Sequence, residues 1–160
     1  MKRILFLFAA LALSAVAAGP LMAQGNSFVG TWKLNLAKSK FGSMPAPKSL
    51  NREVVAQGAG ATYTSSGVAA DGSAVNYSFT TNYDGKDQPV TGSGTPGGAD
   101  AIAIKRVSPN KAEATLKKGG KQIGTAVATV SKDGKTTTVT TTMKSADGKD
   151  VVATSVYDKQ

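Results

Sequence analysis

Apolar and polar residues alternate along most of this chain, from position 49 to its end. The clearest stretch is 74–82, in which Val75, Tyr77, Phe79 and Thr81 fall on one face and the intervening residues are polar. A period of two residues is typical of a β-strand with one buried face. Similar stretches rich in Val, Thr, Tyr and Ile follow one another, so the pattern predicts an all-β protein with almost no helix.

Turn signals separate these stretches. Asp-Gly pairs favour the tight turns of β-hairpins, because both central residues of such turns adopt positive φ. Four pairs occur, at Asp71-Gly72, Asp84-Gly85, Asp133-Gly134 and Asp147-Gly148. With Pro109-Asn110 and Gly119-Gly120 between them, they predict an antiparallel up-and-down meander of hairpins.

The predicted strands number nine or ten. They span 28–34, 49–57, 60–69, 73–83, 87–92, 100–107, 111–118, 121–131, 135–145 and 149–158. Strand 87–92 is the weakest, and the glycine-rich segment 92–98 is predicted to be a mobile loop. A short turn around Leu36 to Phe41 is the one helical signal. So many consecutive strands either close into a barrel or stack as two sheets, because an open sheet leaves its edges exposed.

The first residues predict export. Lys2 and Arg3 precede a run of apolar residues, and small residues follow, which is the layout of a secretory signal peptide. The apolar run is shorter than the roughly 20 residues that a membrane-spanning helix needs. We expect a signal peptide over 1–23, with a cut after Ala23 or alternatively near Ala17 or Ala18. A single domain over 24–160 would follow, in the periplasm or outside the cell.

The residue types argue against an enzyme. The chain contains no His and no Cys, which excludes Ser-His-Asp and Cys-His nucleophile pairs and ordinary zinc sites. Most acidic residues lie in turns or beside strand ends. Glu53 and Glu113 are in strand interiors, and the alternation places Glu113 on the outward face. We therefore predict no catalytic residues, no metal and no cofactor.

The charge leaves two interpretations open. The formal net charge is +9 for the whole sequence, and it favours either general solubility or an anionic component of the cell envelope as a partner. The lysines are scattered through turns, and the densest group, 117–121, is itself a hairpin tip. We do not expect nucleic acid as a partner, because only Arg52 and Arg106 follow the predicted signal peptide and arginine is the residue best suited to phosphate.

The predicted interior is built largely from small residues. Many inward positions are Ala, Val, Thr or Ser, and a closed barrel fixes an interior volume that side chains either fill or leave open. Small inward residues therefore favour a cavity. The alternative is a flattened barrel or sandwich whose sheets approach each other and leave no cavity.

Both ends of the chain resemble known proteins. The segment Phe28-Val29-Gly30-Thr31-Trp32-Lys33-Leu34, followed by Ser39-Lys40-Phe41, is similar to the opening of fatty-acid-binding proteins and lipocalins, the calycin superfamily. The ending Thr154-Ser155-Val156-Tyr157-Asp158-Lys159-Gln160 is similar to the last strand of the fatty-acid-binding proteins. The chain also looks like bacterial exported lipocalin-like proteins of unknown function. This resemblance implies a lipocalin-like up-and-down barrel of eight to ten strands, an internal apolar pocket and no catalysis.

The chain departs from that family in two places. Tyr157 matches the tyrosine of the last strand, but Ser155 stands where the intracellular lipid binders have an arginine for the ligand carboxylate. The proline-containing connector 42–48 replaces the helical lid between the first two strands. The resemblance therefore implies a more open mouth, and it leaves the charge partner of a ligand unidentified.

These observations give four candidate ligand-binding residues: Tyr77, Phe79, Tyr157 and Arg106. Arg106 shares a strand face with Ile102 and Ile104, so it is either an inward cation or a solvated strand end. Trp32 is expected to close the barrel floor by packing. The first hypothesis is a non-catalytic exported protein that holds a small apolar or amphipathic ligand in the barrel. The alternative is a basic envelope protein with a packed interior and no ligand.

Overall fold

A computed structural model describes residues 25–145 and 147–160, so the predicted signal peptide lies outside the described residues. Eleven strands form one antiparallel sheet. They are β1 Gly30–Leu34, β2 Ser49–Gln57, β3 Gly60–Val68, β4 Ala74–Thr81, β5 Asp84–Pro89, β6 Thr91–Ser93, β7 Ala101–Ser108, β8 Lys111–Lys118, β9 Lys121–Val130, β10 Thr136–Lys144 and β11 Asp150–Lys159. Two short 3-10 turns, Leu36–Lys38 and Pro96–Gly98, are the helical elements of the described chain, and neither is long and apolar enough to cross a bilayer.

Pairing of the first and last strands closes the sheet into a nearly complete barrel. Trp32 of β1 pairs with Lys159 of β11, and Leu34 pairs with Tyr157. From β7 to β11 and from β1 to β4, each strand pairs with its neighbour in the sequence. The predicted all-β, lipocalin-like barrel is therefore confirmed.

The structure differs from the prediction between β4 and β7. Asp84-Gly85 does not form a hairpin turn. Instead β5 pairs with β7, the chain crosses at Val90, and β6 pairs with β4. The predicted strand 87–92 is therefore two short strands at opposite edges of the sheet, which makes eleven strands instead of eight to ten. A seam, which we define as the gap between β5 on one edge of the sheet and β4 with its short partner β6 on the other, remains in the barrel wall.

A network of aromatic and polar groups seals one end of the barrel, the floor. Trp32 is 2% exposed, and its Nε1 donates to the Phe28 carbonyl over 2.8 Å. The hydroxyls of Tyr63 and Tyr83 lie 2.7 Å apart, and the Asn26 amide donates to the Tyr83 hydroxyl over 3.0 Å. Because the paired polar groups are satisfied, the aromatic rings remain buried without a desolvation penalty. The packing role predicted for Trp32 agrees with this arrangement.

The opposite end, the mouth, is formed by turns and by the connector between β1 and β2. The 3-10 turn Leu36–Lys38 begins this connector, and Phe41, Met44, Pro45 and Pro47 face the barrel opening. A helical lid is not part of the connector, as the sequence predicts. Loop 94–98 between β6 and β7 borders the same opening.

Replacing Gly60 with alanine is expected to destabilise the barrel by about 2 kcal/mol, as overpacking does. A Cβ atom on Gly60 would overlap the Thr81 carbonyl oxygen, which lies in the β3–β4 ladder. Urea denaturation measures the loss. The control is Gly25→Ala, because nothing lies within 4 Å of a Cβ atom at Gly25. Equal denaturation midpoints for the two variants would contradict this prediction, because they would mean that β3 and β4 accommodate the added methyl group at Gly60 without loss of stability.

The buried Tyr63 hydroxyl is expected to weaken the fold in alkali. Burial, with the adjacent Tyr83, raises the pKa of Tyr63 above its ordinary value of 10.0. Above about pH 10 the unfolded chain releases this proton and the folded chain keeps it, so the stability present below that pH is lost as the pH rises toward the folded pKa. The urea midpoint of the wild type should therefore fall more steeply between about pH 9 and 11.5 than that of Tyr63→Phe. Parallel curves would contradict the raised pKa.

Candidate functional site

The barrel contains two adjoining chambers, of which the outer one is open to solvent at the mouth. The inner chamber, toward the floor, has a volume of about 110 Å³. The outer chamber, at the mouth, has a volume of about 680 Å³. The outer volume falls within the roughly 300–1,000 Å³ of small-molecule sites, and the inner one is close to a cavity of about 150 Å³ that accommodates benzene. The cavity interpretation of the small inward residues is thus confirmed, and the packed interior is not observed.

Aromatic floor residues and alanines form most of the inner chamber. Phe28, Trp32, Tyr63 and Phe79 close one side of it, and Ile104 and Leu116 belong to the other side. Four alanines, Ala112, Ala114, Ala126 and Ala128, face it from β8 and β9. Because each alanine contributes a single methyl group, the closed sheet cannot fill its own centre at these positions.

The outer chamber is lined by the connector and by the mouth ends of the strands. Most side chains that line it without reaching the inner chamber are apolar, among them Phe41, Met44, Pro45, Pro47, Leu50, Val75, Met143, Val151 and Ala153. Its polar members are Ser43, Asp71, Ser145, Ser155 and Lys144, whose ammonium is paired with Asp150 over 2.7 Å. Loop 94–98 contributes Gly94 and Gly97. A ligand entering at the mouth therefore passes a predominantly apolar surface.

Six residues line both chambers and mark their junction: Arg52, Tyr77, Pro96, Val139, Thr141 and Tyr157. They come from β2, β4, β10, β11 and loop 94–98, so the junction depends on the closure of the whole barrel. Two of them, Tyr77 and Tyr157, are predicted site residues. They are 5% and 3% exposed.

Arg52 is the charged group of the junction. Its guanidinium carbon lies 4.9 Å from the centre of the Tyr157 ring, and its Nε donates to the Ser65 hydroxyl over 3.4 Å. No carboxylate among the described residues forms an ion pair with it. The barrel thus contains a cation whose counter-ion is not supplied by the described residues.

The surroundings keep Arg52 charged. Burial opposes its positive charge, but the hydroxyl groups of Tyr157, Tyr77 and Tyr63 favour it, and the pKa of Arg52 is raised above its usual value. Burial also raises the pKa of Tyr157. At neutral pH the junction therefore presents the Arg52 guanidinium beside the neutral Tyr157 hydroxyl, which is an arrangement of donors suited to an anion.

Sequence reasoning missed Arg52. Its signal was present in the alternation of β2, because Arg52 shares a face with Leu50 and Val54, and Val54 is buried. An arginine between two apolar inward positions indicates an inward cation. The expectation taken from the resemblance directed attention to position 155, whereas the arginine that contacts Tyr157 comes from β2, two strands away in the sheet.

The structure brings three of the four predicted site residues to the chambers and places the fourth, Arg106, outside them. Phe79 lines the inner chamber and stacks on Tyr63, with ring centres 4.9 Å apart, while Tyr77 and Tyr157 lie at the junction. Arg106 lines neither chamber. It lies at the floor, where its guanidinium donates to Asn26 over 2.8 Å and stacks on Tyr83 at 4.0 Å.

The junction presents groups that can bind an anion. The polar side chains near the junction are hydroxyls and the Arg52 guanidinium, while the charged residues Glu113 of the inner lining and Asp71 and Lys144 of the outer lining lie away from it. The Thr137 hydroxyl in the inner wall is buried without a hydrogen-bond partner among the described residues. In the part of the chain that the structure describes, no three His, Cys, Asp or Glu residues cluster as metal ligands. The arrangement can position an anionic group and surround it with apolar surface.

Comparison with known proteins supports the fold. No family profile matches the chain, and no curated protein matches it. Among solved structures, it is similar to zebrafish ileal bile acid-binding protein complexed with cholic acid, with a TM-score of 0.54 and 17% identity over 84% of this chain and 99% of that one. At this identity the likeness establishes a shared lipocalin-like barrel fold and nothing about the ligand.

Proposed function

We propose that this chain is an exported, non-catalytic binding protein that holds a small amphipathic ligand with an acidic group inside its barrel. The observation that carries the proposal is Arg52, a charged guanidinium at the junction of two largely apolar chambers with no carboxylate partner among the described residues. The similar zebrafish barrel was solved with a small molecule. Export is the part of the proposal that rests on residues 1–23.

The energetic argument starts from the cost of Arg52. A charge withdrawn from water is destabilising unless an opposite charge or hydrogen bonds replace the lost hydration. Ser65 provides one long hydrogen bond and Tyr157 provides a ring face, which leave several guanidinium donors available. An acidic ligand group would accept hydrogen bonds from those donors, and such charge-assisted bonds are stronger than neutral ones.

The apolar surroundings provide the rest of the affinity. Removing hydrocarbon from water contributes about 0.8 kcal/mol per methylene group. Met44, Pro47, Met143 and Val151 line the outer chamber around the path from the mouth to Arg52. A ligand with an acid at Arg52 and a hydrocarbon chain along this path satisfies both the charge and the apolar surface.

The test compares dodecanoate with dodecan-1-ol as competitors for the neutral dye Nile red. We expect wild-type protein to bind the acid about 10- to 100-fold more tightly than the alcohol, because the charge-assisted hydrogen bonds are lost with the alcohol. In Arg52→Met this preference should shrink to a few-fold. The same variant should have an unchanged or higher urea midpoint, since an unpaired cation has been replaced by an apolar side chain.

Arg106→Met is the matched control. It removes the other arginine of the described chain, which contacts Asn26 and Tyr83 at the floor and lines neither chamber. Its stability should fall while its preference for the acid stays that of the wild type. A preference for dodecanoate that survives in Arg52→Met would refute the assignment. If the wild type binds neither dodecanoate nor dodecan-1-ol but shows salt-sensitive binding to polyphosphate, the alternative hypothesis of a basic envelope protein without a ligand would be favoured.

A further inference from the structure

The position of Arg52 between the two chambers restricts the shape of a ligand whose acidic group it binds. Arg52 lines both chambers, so a straight-chain ligand with its acid at Arg52 can extend into only one of them. The outer chamber is the one with room for a long chain, and the inner chamber would then stay empty. The inner chamber is nevertheless a distinct space of about 110 Å³. By comparison with the cavity of about 150 Å³ that accommodates benzene, it has room for about four carbon atoms.

The inner wall is suited to hydrocarbon. Phe79, Ile104, Ala112 and Ala128 face it, and the Tyr63 hydroxyl in its wall is already bonded to Tyr83. The Thr137 hydroxyl is the buried side-chain group of this wall that has no partner among the described residues. Arg52 is the one cation among the described residues that line this chamber, and the other charged residue of its lining, Glu113, is an exposed carboxylate paired with Lys111. A second acidic group would therefore find no charge partner there, whereas a short apolar group would fill the space left by the alanines.

We propose that the ligand carries its acidic group between two apolar arms of unequal length. The acid is held by Arg52, with Tyr77 and Tyr157 beside it. A short arm of about four carbons enters the inner chamber, and a longer arm lies in the outer chamber toward the mouth. The ligand class is thus an acid branched next to its acidic carbon, in contrast to a straight-chain acid.

This inference rests on the proposed function, because it takes the acid at Arg52 as its reference point. The experiment extends octanoic acid by four carbons in two ways. Dodecanoic acid adds them at the chain end, and 2-butyloctanoic acid, its isomer, adds them beside the carboxylate. Binding of all three acids is measured by Nile red displacement, for wild-type protein and for two cavity-filling variants.

Ala128→Leu fills the inner chamber, and Ala153→Leu, the matched control, adds the same group to the outer chamber only. In the wild type, 2-butyloctanoic acid should bind more tightly than octanoic acid. Ala128→Leu should weaken 2-butyloctanoic acid at least tenfold, because the butyl arm loses its space. The affinity for dodecanoic acid should change by less than about twofold. Ala112→Val, a smaller change at the same chamber, gives a second variant if the leucine disturbs folding.

Each contrary result has a separate meaning. If Ala128→Leu weakens both isomers equally, a straight chain reaches the inner chamber and the branched class is overturned. If neither isomer responds to Ala128→Leu although both depend on Arg52, the inner chamber is not used and only the acidic class survives. If the isomers bind without any dependence on Arg52, the proposed function itself fails.

Discussion

The backbone ladder between β1 and β11 is the constraint on which the rest of the structure depends. Once Leu34 pairs with Tyr157 and Trp32 with Lys159, the circumference of the barrel is fixed by the number and stagger of its strands. Opposite walls of the barrel therefore cannot move together to close the space between small side chains, whereas the two sheets of a sandwich can. The alanines of β8 and β9 face a volume that they cannot fill, and the chambers follow from closure and residue size together.

Under the proposed function, a second consequence of closure is that stability and binding compete at the junction. Arg52 faces inward because of its position in β2, and withdrawing its half-buried charge from water is destabilising without an anion beside it. The tyrosine hydroxyls and the Tyr157 ring reduce this penalty and preserve the charge. Natural proteins commonly sacrifice stability at a site in this way, since a group satisfied within the protein is not available to a ligand.

Much of the fold could be predicted from the sequence because local signals agreed with it. Alternation in β4 placed Tyr77 and Phe79 on the inward face, and three of the four Asp-Gly pairs lie at hairpin turns. The hairpin predicted at the fourth pair, Asp84-Gly85, is not formed. The chain turns one residue earlier, at Tyr83, which has a left-handed conformation with φ of 57°, and the strand that follows pairs with β7. Strand partners depend on the whole sheet, which a local turn signal cannot report.

The candidate site was less predictable for the same reason. Tyr157 and Arg52 lie more than a hundred residues apart in the chain and meet only because β1, between their strands, closes the sheet. Arg106, like Arg52, alternates with apolar residues on one strand face, but its guanidinium donates a hydrogen bond to Asn26 and stacks on Tyr83 at the floor. Deciding which inward arginine remains without a partner requires the positions of all the neighbouring side chains.

The single residue that joins β5 to β6 also limits how the barrel can deform. Pro89 pairs with β7 and Thr91 pairs with β4, so Val90 tethers the two sides of the seam. Two peptide units span at most about 7 Å, and the sides cannot part further at that point while both ladders hold. The seam therefore stays closed at Val90 while both ladders hold, whereas the outer chamber opens to solvent beside the prolines of the connector.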